Sequence, residues 1–347
     1  MVNMRHITLS LAVLLGTAMS LLGGDPADGI TQTGKKVGKE INDISDGMFR
    51  FNLRTRTLGG KQFWTDYLVQ HQWRIQRNEI TNHYRLLNDD NYRHAWGTFL
   101  QCKKSLFEIG TKKKLPEIKG KVVLLLHGLG RTRGSMEELR KHLDQQAGLT
   151  AISLSYASTR ASIEQHAQAL SSVIKNIPQA SEIYLVGHSM GNLVIRHYLS
   201  GKDRPDPRIM RIVMLAPPNQ GSALATLFKD NHLFHIFWGT SGEQIAVNWD
   251  RLAKKLATPE CEFGIIAGGN IKSFFNNPFI KGEDDLVLRV EETRLEGARD
   301  FAIVPSYHGR IMNHSQTKAY TSRFLEKGHF ISESRRAPIT PAEAERP

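Results

Sequence analysis

The sequence predicts an α/β protein, with a mostly parallel, doubly wound sheet covered by helices on both faces. Three observations carry this reading. From residue 120 onward, short apolar runs alternate with helical stretches, the rhythm of successive strand–helix units. The runs are continuous rather than alternating, as in strands buried on both faces. A Gly-x-Ser-x-Gly pentapeptide, Gly187 to Gly191, separates one such run from the helix after it.

Residues 24–70 are polar, Gly-rich and weakly patterned, and read as a linker or arm. Trp73 to Leu87 alternates as a strand does, and Asn88 to Asn91 (NDDN) is a turn signal. A second strand running toward Cys102 then completes a leading antiparallel hairpin. Strands are expected at Val122–Leu126, Thr150–Tyr156, Ile183–Val186, Ile212–Leu215, Phe263–Ala267 and Phe301–Val304. Helices are expected at Met136–Gln145, Ile163–Ile174, Asn192–Leu199 and Gln316–Leu325. More than 40 residues separate Leu215 from Phe263 and contain an apolar cluster, Leu233 to Trp238. In a parallel sheet this is an insertion at the carboxyl edge, where lids occur, so 220–260 is read as lid-like within a domain spanning 71–330. The tail, 331–347, is rich in Pro, Ala and charge and is expected to be disordered.

Composition narrows the function classes. Of 347 residues, 40% are hydrophobic and 23% charged, which excludes a disordered chain and a multi-span membrane protein. The net charge of +12 favours anionic surfaces, such as an acidic membrane or wall. The basic residues are scattered, the densest run being Lys112 to Lys114, and no aromatic-basic module is present. Specific nucleic-acid binding is therefore not expected. Two cysteines, Cys102 and Cys261, are too few for a disulfide scaffold, although a single bridge between them stays open. No Cys or His cluster has metal-ligand spacing. Arg5 precedes an apolar run from Ile7 to Gly23, the pattern of a secretory signal or an uncleaved N-terminal anchor. Export to the periplasm, the medium or a membrane-tethered position is the expectation.

The motifs carry the chemistry. Ser189 lies in Gly187-His188-Ser189-Met190-Gly191, after the apolar strand Ile183–Val186 and before a helix. A serine on such a turn is held with its hydroxyl above the sheet, and the helix start aims free N–H groups at a developing anion. His127-Gly128-Leu129-Gly130 follows the first long apolar strand. The backbone N–H groups of Leu129 and Met190 are the candidate oxyanion donors. His127 is a weak base candidate and better suited to ordering its loop.

With VVLLLHGLG, GHSMG and LAPPNQGS (Leu215–Ser222), residues 120–330 resemble the lipase and esterase branch of the α/β-hydrolase superfamily. The similarity is to bacterial triacylglycerol lipases and related deacylase-type hydrolases. The resemblance implies the α/β-hydrolase fold and a triad in the order Ser, Asp, His. In Gly282–Val287 (GEDDLV), Asp285 takes the acid position and Asp284 that of an Asn, while Leu286 stands where the family has Gly. Asp285 is preferred and Asp284 remains its rival. His308, in Tyr307–Asn313, matches the family's base loop; His314 and His329 are rivals expected at the surface. The implied activity is acyl-ester hydrolysis through an acyl-enzyme on Ser189, with lipid or other acyl esters as substrates and no metal or organic cofactor. An amidase, thioesterase or acyltransferase on the same residues, or an inactive tethered binding protein, stays open.

Overall fold

Two sheets organise the computed structural model, which describes residues 55–57, 62–146, 148–201, 205–222, 232–269 and 283–344, with backbone alone for 232–238 and 343–344. The chain divides into two units, Met1–Asn52 and Leu53–Pro347, and the sheets belong to the second. The segment read as a signal or anchor, 1–23, and most of the expected linker lie outside the described residues. Among the described residues, no helix is long and apolar enough to cross a membrane.

The first sheet is antiparallel. Its strands are β1 (Thr55–Arg56), β2 (Trp64–Gln70), β3 (Trp73–Asn78), β4 (Tyr84–Leu87) and β5 (Tyr92–Gly97), in the order β1-β5-β4-β3-β2. Two expectations are corrected here. The linker ends before β2, not at residue 70, and the stretch 73–87 is two strands joined by a turn rather than one. Asn82, with φ 59°, and Asn78, whose side chain accepts the amides of Ile80 and Thr81, make that turn. The segment after β5 differs as well: Phe99–Lys113 is a helix, α1, not a strand toward Cys102. Thr98 and Gln101 form a capping box at its start, a signal that the apolar pattern alone obscures. Cys102 and Leu106 pack its buried face against Trp73, Ile75 and Leu86.

The second sheet has six strands, all pairings parallel: β6 (Gly120–Leu126), β7 (Leu149–Ser153), β8 (Ala180–His188), β9 (Ile209–Leu215), β10 (Glu262–Gly268) and β11 (Asp300–Val304). Their order is β11-β10-β9-β8-β6-β7. Successive residues feed opposite cores. Val122, Leu124 and Leu126 join the cluster that holds Ile183, Leu185, Ile212 and Phe263. Val123 and Leu125 join the one that holds Tyr184, Val186, Val213 and Leu215. That is why the strands read as unbroken apolar runs. Helices α2 (Glu137–Asp144), α3 (Ile163–Lys175), α4 (Met190–Leu199) and α7 (Ser315–Lys327) cover the faces. Between β9 and β10 lie α5 (His232–Ala246) and α6 (Trp249–Ala253). This is the α/β-hydrolase fold.

The chain runs outward from β6 to the edge at β7, then crosses back to β8 and continues the other way. The strand order therefore reverses between β6 and β8, and the crevice beyond their carboxyl ends is where such sheets place ligands.

The tail is also corrected. Ile339 is buried, its amide bonds to the Ala298 carbonyl, and its carbonyl accepts the Gly297 amide. The Asp300 carboxylate accepts the amides of Phe330 and Ala337. A tail without periodicity is held by the Asp300 carboxylate at Ala337 and by backbone bonds from Ile339 to residues 297 and 298. The two thiols are free, Cys102 in the antiparallel unit's core and Cys261 beside β10. Burial pushes their pKa values up to about 12 and about 11.

Candidate active site

Ser189 sits between β8 and α4, at the helix's N-cap position, with φ 52° and ψ −125°. A non-glycine residue rarely adopts this backbone, so the surroundings must hold it there. The Ser189 amide donates to the Leu215 carbonyl at 2.9 Å, and Asn192 Nδ2 donates to the carbonyls of Ser189 and Leu215. The flanking glycines admit close approach. A Cβ at Gly191 would stand 2.6 Å from the Leu126 carbonyl oxygen, and one at Gly187 would stand 2.9 Å from the Asn192 amide.

His308 follows β11 and opens a 3₁₀ turn, His308–Asn313. Its Nε2 lies 2.9 Å from Ser189 Oγ and its Nδ1 2.7 Å from Asp285 Oδ2. A carboxylate only accepts, so Nδ1 bears the proton and Nε2 is left to accept from the serine hydroxyl. Asp285 is 1% exposed. Its other oxygen, Oδ1, accepts the amides of Val287 and Leu288 at 3.0 and 2.8 Å, and its carbonyl accepts the His308 amide. All four contacts hold the carboxylate toward the imidazole.

Asp284 points elsewhere. Its carboxylate accepts the Leu286 amide, and its backbone pairs antiparallel with that of Arg289, so it caps the loop. Leu286 has φ 78°. The position where the resembling family carries Gly therefore keeps the glycine-like backbone here, although the residue is leucine. Of the two carboxylates the structure brings Asp285, not Asp284, to His308. His314 and His329 make none of the site's hydrogen bonds, and both are half-buried rather than exposed.

Leu129 lies in the loop after β6, with no acceptor for its N–H among the described residues. The loop sits tightly against the elbow, since a Cβ at Gly128 would meet Ser189 Cβ at 3.1 Å. Met190 is the first residue of α4, whose first-turn amides lack helical partners. The two expected donors thus flank Ser189 from either side of the reversal point. His127 is buried, stacked 4.0 Å from the Tyr156 ring, and donates Nδ1–H to the Gly128 carbonyl at 2.9 Å. Burial pushes its pKa down to about 4, so it is a neutral loop support.

A family model described as a domain of unknown function, DUF7379, matches residues 94–247, which include Ser189 but neither Asp285 nor His308. No curated protein matches. Among solved structures, the chain is similar to phospholipase PlaB from Legionella pneumophila, with 19% identity and TM-score 0.40 over 50% of this chain and 45% of that one. The chain thus spans less than half of that protein's length. It is similar to the Bacillus licheniformis lipase BlEst2 in mature form, with 18% identity and TM-score 0.45 over 61% and 93%. A thermophilic esterase from Thermogutta terrifontis matches at 16% identity and TM-score 0.42 over 61% and 92%.

Three supporting residues were given no role by the sequence, although two of them, His188 and Asn219, lie within its motifs. His188, at the variable position of the pentapeptide, donates Nε2–H to the His308 carbonyl at 2.9 Å. It is 1% exposed, and burial holds its pKa well below that of a free imidazole. It therefore ties the His308 loop to the elbow as a neutral group. Arg196 of α4 donates to Asn219 Oδ1 at 3.0 Å, and Asn219 Nδ2 donates to the Thr293 carbonyl at 2.8 Å. This chain ties the segment after β9 to the segment that follows the Asp285 loop. Buried polar residues next to motifs would have been the only available hint.

The lid-like insertion is docked on α4, where the Ala257 amide donates to the Arg196 carbonyl, and on the segment between β7 and α3. Gly239 kinks α5 with φ 58°, and a Cβ there would lie 1.8 Å from the Thr159 carbonyl oxygen. Ser241 Oγ donates to the Ala161 carbonyl, and the Ile163 amide donates to Gln244 Oε1. The side chains of Leu233, Phe234, Ile236, Phe237 and Trp238 lie outside the described residues.

Proposed function

We propose that this protein is a serine carboxylester hydrolase, lipase- or esterase-like, that acts through an acyl-enzyme on Ser189. The observation that carries the reading is the continuous hydrogen-bonded chain from Ser189 Oγ through His308 to Asp285, at 2.9 and 2.7 Å. His308 Nε2 takes the hydroxyl proton as Ser189 Oγ attacks the ester carbonyl. Asp285 holds the proton on Nδ1 and stabilises the imidazolium. The N–H groups of Leu129 and Met190 hold the oxyanion. The imidazolium returns its proton to the leaving alcohol, and His308 then activates the water that releases the acid.

Lipid or other acyl esters are the proposed substrates, with the insertion at 220–260 as a lid over the crevice. Export and contact with an anionic surface belong to the same reading. The +12 charge supports this contact, as does the outer face of α1, where Leu100 and Phe107 are 74% and 75% exposed beside Lys103 and Lys104.

The test is turnover of p-nitrophenyl esters of rising chain length beside matched amides, with fluorophosphonate labelling of the nucleophile. Ester turnover and labelling that both vanish in Ser189→Ala are expected. Wild-type turnover in that variant, or amides cleaved faster than esters, would overturn the reading.

A further inference from the structure

A second cavity, of about 390 Å³, shares no residue with the Ser189 site. It lies between the β2–β3 turn, the 3₁₀ turn Arg133–Met136, α2 and the edge strand β7. Its polar lining is unbalanced toward donors. His71 Nε2, Arg74 Nε and Ser153 Oγ are buried and meet no partner among the described residues. Arg133, which also lines the cavity, makes no hydrogen bond or ion pair among the described residues.

The acceptors nearby are already committed. Arg140 donates to both oxygens of Glu137 at 2.9 Å and to Asp144 Oδ2 at 3.3 Å. Asp144 Oδ1 accepts the Ala151 amide at 3.1 Å. Asp66, behind Arg74, is held by Arg74, Gln76 and the Ser155 amide. Burial first and then the charge of Arg74 lower the pKa of Arg133, and the committed carboxylates of Asp66 and Glu137 offset this only in part. A guanidinium, a second arginine's free Nε and a buried hydroxyl, with no carboxylate to spare, suit an oxyanion.

We propose that this cavity binds a phosphate group, held by Arg133 with Arg74 and Ser153. The volume exceeds what the bare ion needs, so the group can be free phosphate or the head of a phosphate ester. The site has a route to the crevice. Arg133 begins the turn that directly follows the Leu129 loop, where the Arg131 amide donates to the Gly128 carbonyl at 3.2 Å. A bound anion anchors the outer end of that loop. The proposal stands apart from the esterase reading and fails or succeeds separately.

The full chain is titrated with inorganic phosphate at constant ionic strength, by calorimetry and by thermal midpoint against matched chloride. Saturable binding is expected, weakened at least tenfold in Arg133→Gln and several-fold in Ser153→Ala, and unchanged in Ser189→Ala. Arg133→Lys, which keeps the charge but loses the planar fork, should be intermediate. Glycerol phosphate binding tighter than inorganic phosphate marks a headgroup ester as the ligand; the reverse marks the free ion. Absence of saturable binding to the wild type overturns the proposal, as does wild-type affinity in folded Arg133→Gln and Ser153→Ala.

Discussion

The two sheets bury their residues by opposite means. In the parallel sheet, both faces of β6, β8 and β9 are apolar, and their buried aliphatic residues enter one of two hydrocarbon clusters. In the antiparallel sheet, one face is apolar, with Leu68, Trp73, Ile75 and Leu86, while the other buries a charged row. Arg85 donates to Gln76 Oε1, Gln76 Nε2 donates to Asp66 Oδ1, and Arg74 pairs with Asp66. The register shift between Asp66 and Leu68 lets these two residues face opposite sides although they are two apart. Asp66 also accepts the Ser155 amide, and the Asp66 amide donates to the Ser155 carbonyl, so the charged row fastens this sheet to the chain leaving β7. Apolar burial depends on area and tolerates repacking, whereas a buried ion network depends on every partner being present.

The largest expected effect tests the site at the carboxyl ends of the parallel strands. Asp285→Asn should lower kcat/KM on a p-nitrophenyl ester by about 10⁴, the size of the loss when a triad acid no longer holds the tautomer. Asp284→Asn should lower it by less than about tenfold, since that side chain only caps its loop. Equal losses would remove the distinction between the carboxylates.

Next comes the comparison of the sheets. Asp66→Ala should destabilise by about 3–5 kcal/mol in urea unfolding, because Arg74 is left buried and unpaired. Leu124→Ala, a fully buried β6 residue, should cost about 2–5 kcal/mol through a cavity. The two differ in rescue. Replacing Asp66, Arg74 and Gln76 together by Leu should recover much of the loss, whereas no change of charge partner should help Leu124→Ala. Failure of that rescue would show that the row's contacts to Ser155, not its desolvation, dominate.

Smaller again is the acid limb. His127 and His166 are buried, with pKa values lowered to about 4 and about 3, mainly by desolvation. The unfolded chain binds protons below pH 6.5 that the folded chain refuses, so stability falls as pH drops from 6.5 toward 4. Each histidine contributes up to about 1.4 kcal/mol per pH unit in that window. Urea midpoints from pH 7 to 4.5 should show the slope, reduced by about one proton in His166→Phe. The least effect is at the surface. Glu137→Gln breaks the partly exposed pair with Arg140 and should change stability by under about 1 kcal/mol.

Legibility followed the same divide. The six parallel strands and four of their helices could be placed because two-sided burial leaves unbroken apolar runs that end at glycines and caps. The antiparallel strands were merged or missed because Arg74, Gln76 and Arg85 are buried while reading as solvent-facing, and their pattern imitates one long alternating strand. Helix α1 was hidden because Leu100 and Phe107 lie on its exposed side and blur its amphipathic stripe. The tail through Ile339 looked unstructured because its order rests on bonds to residues 297, 298 and 300 rather than on a pattern of its own.

Local chemistry alone was enough for the elbow. An apolar strand, two glycines at the needed spacing and a helix start force a serine into strained backbone, and all of that lies within a dozen residues. Which carboxylate faces the imidazole, how His188 secures the His308 loop and why Arg133 lines a cavity with Arg74 and Ser153 were decided by contacts between segments far apart in the chain. The Ser189–His308 contact alone spans 119 residues. Periodicity reports whether a side chain is buried; it holds no record of which distant backbone a loop residue turns toward, because that direction is chosen only when the packed elements meet.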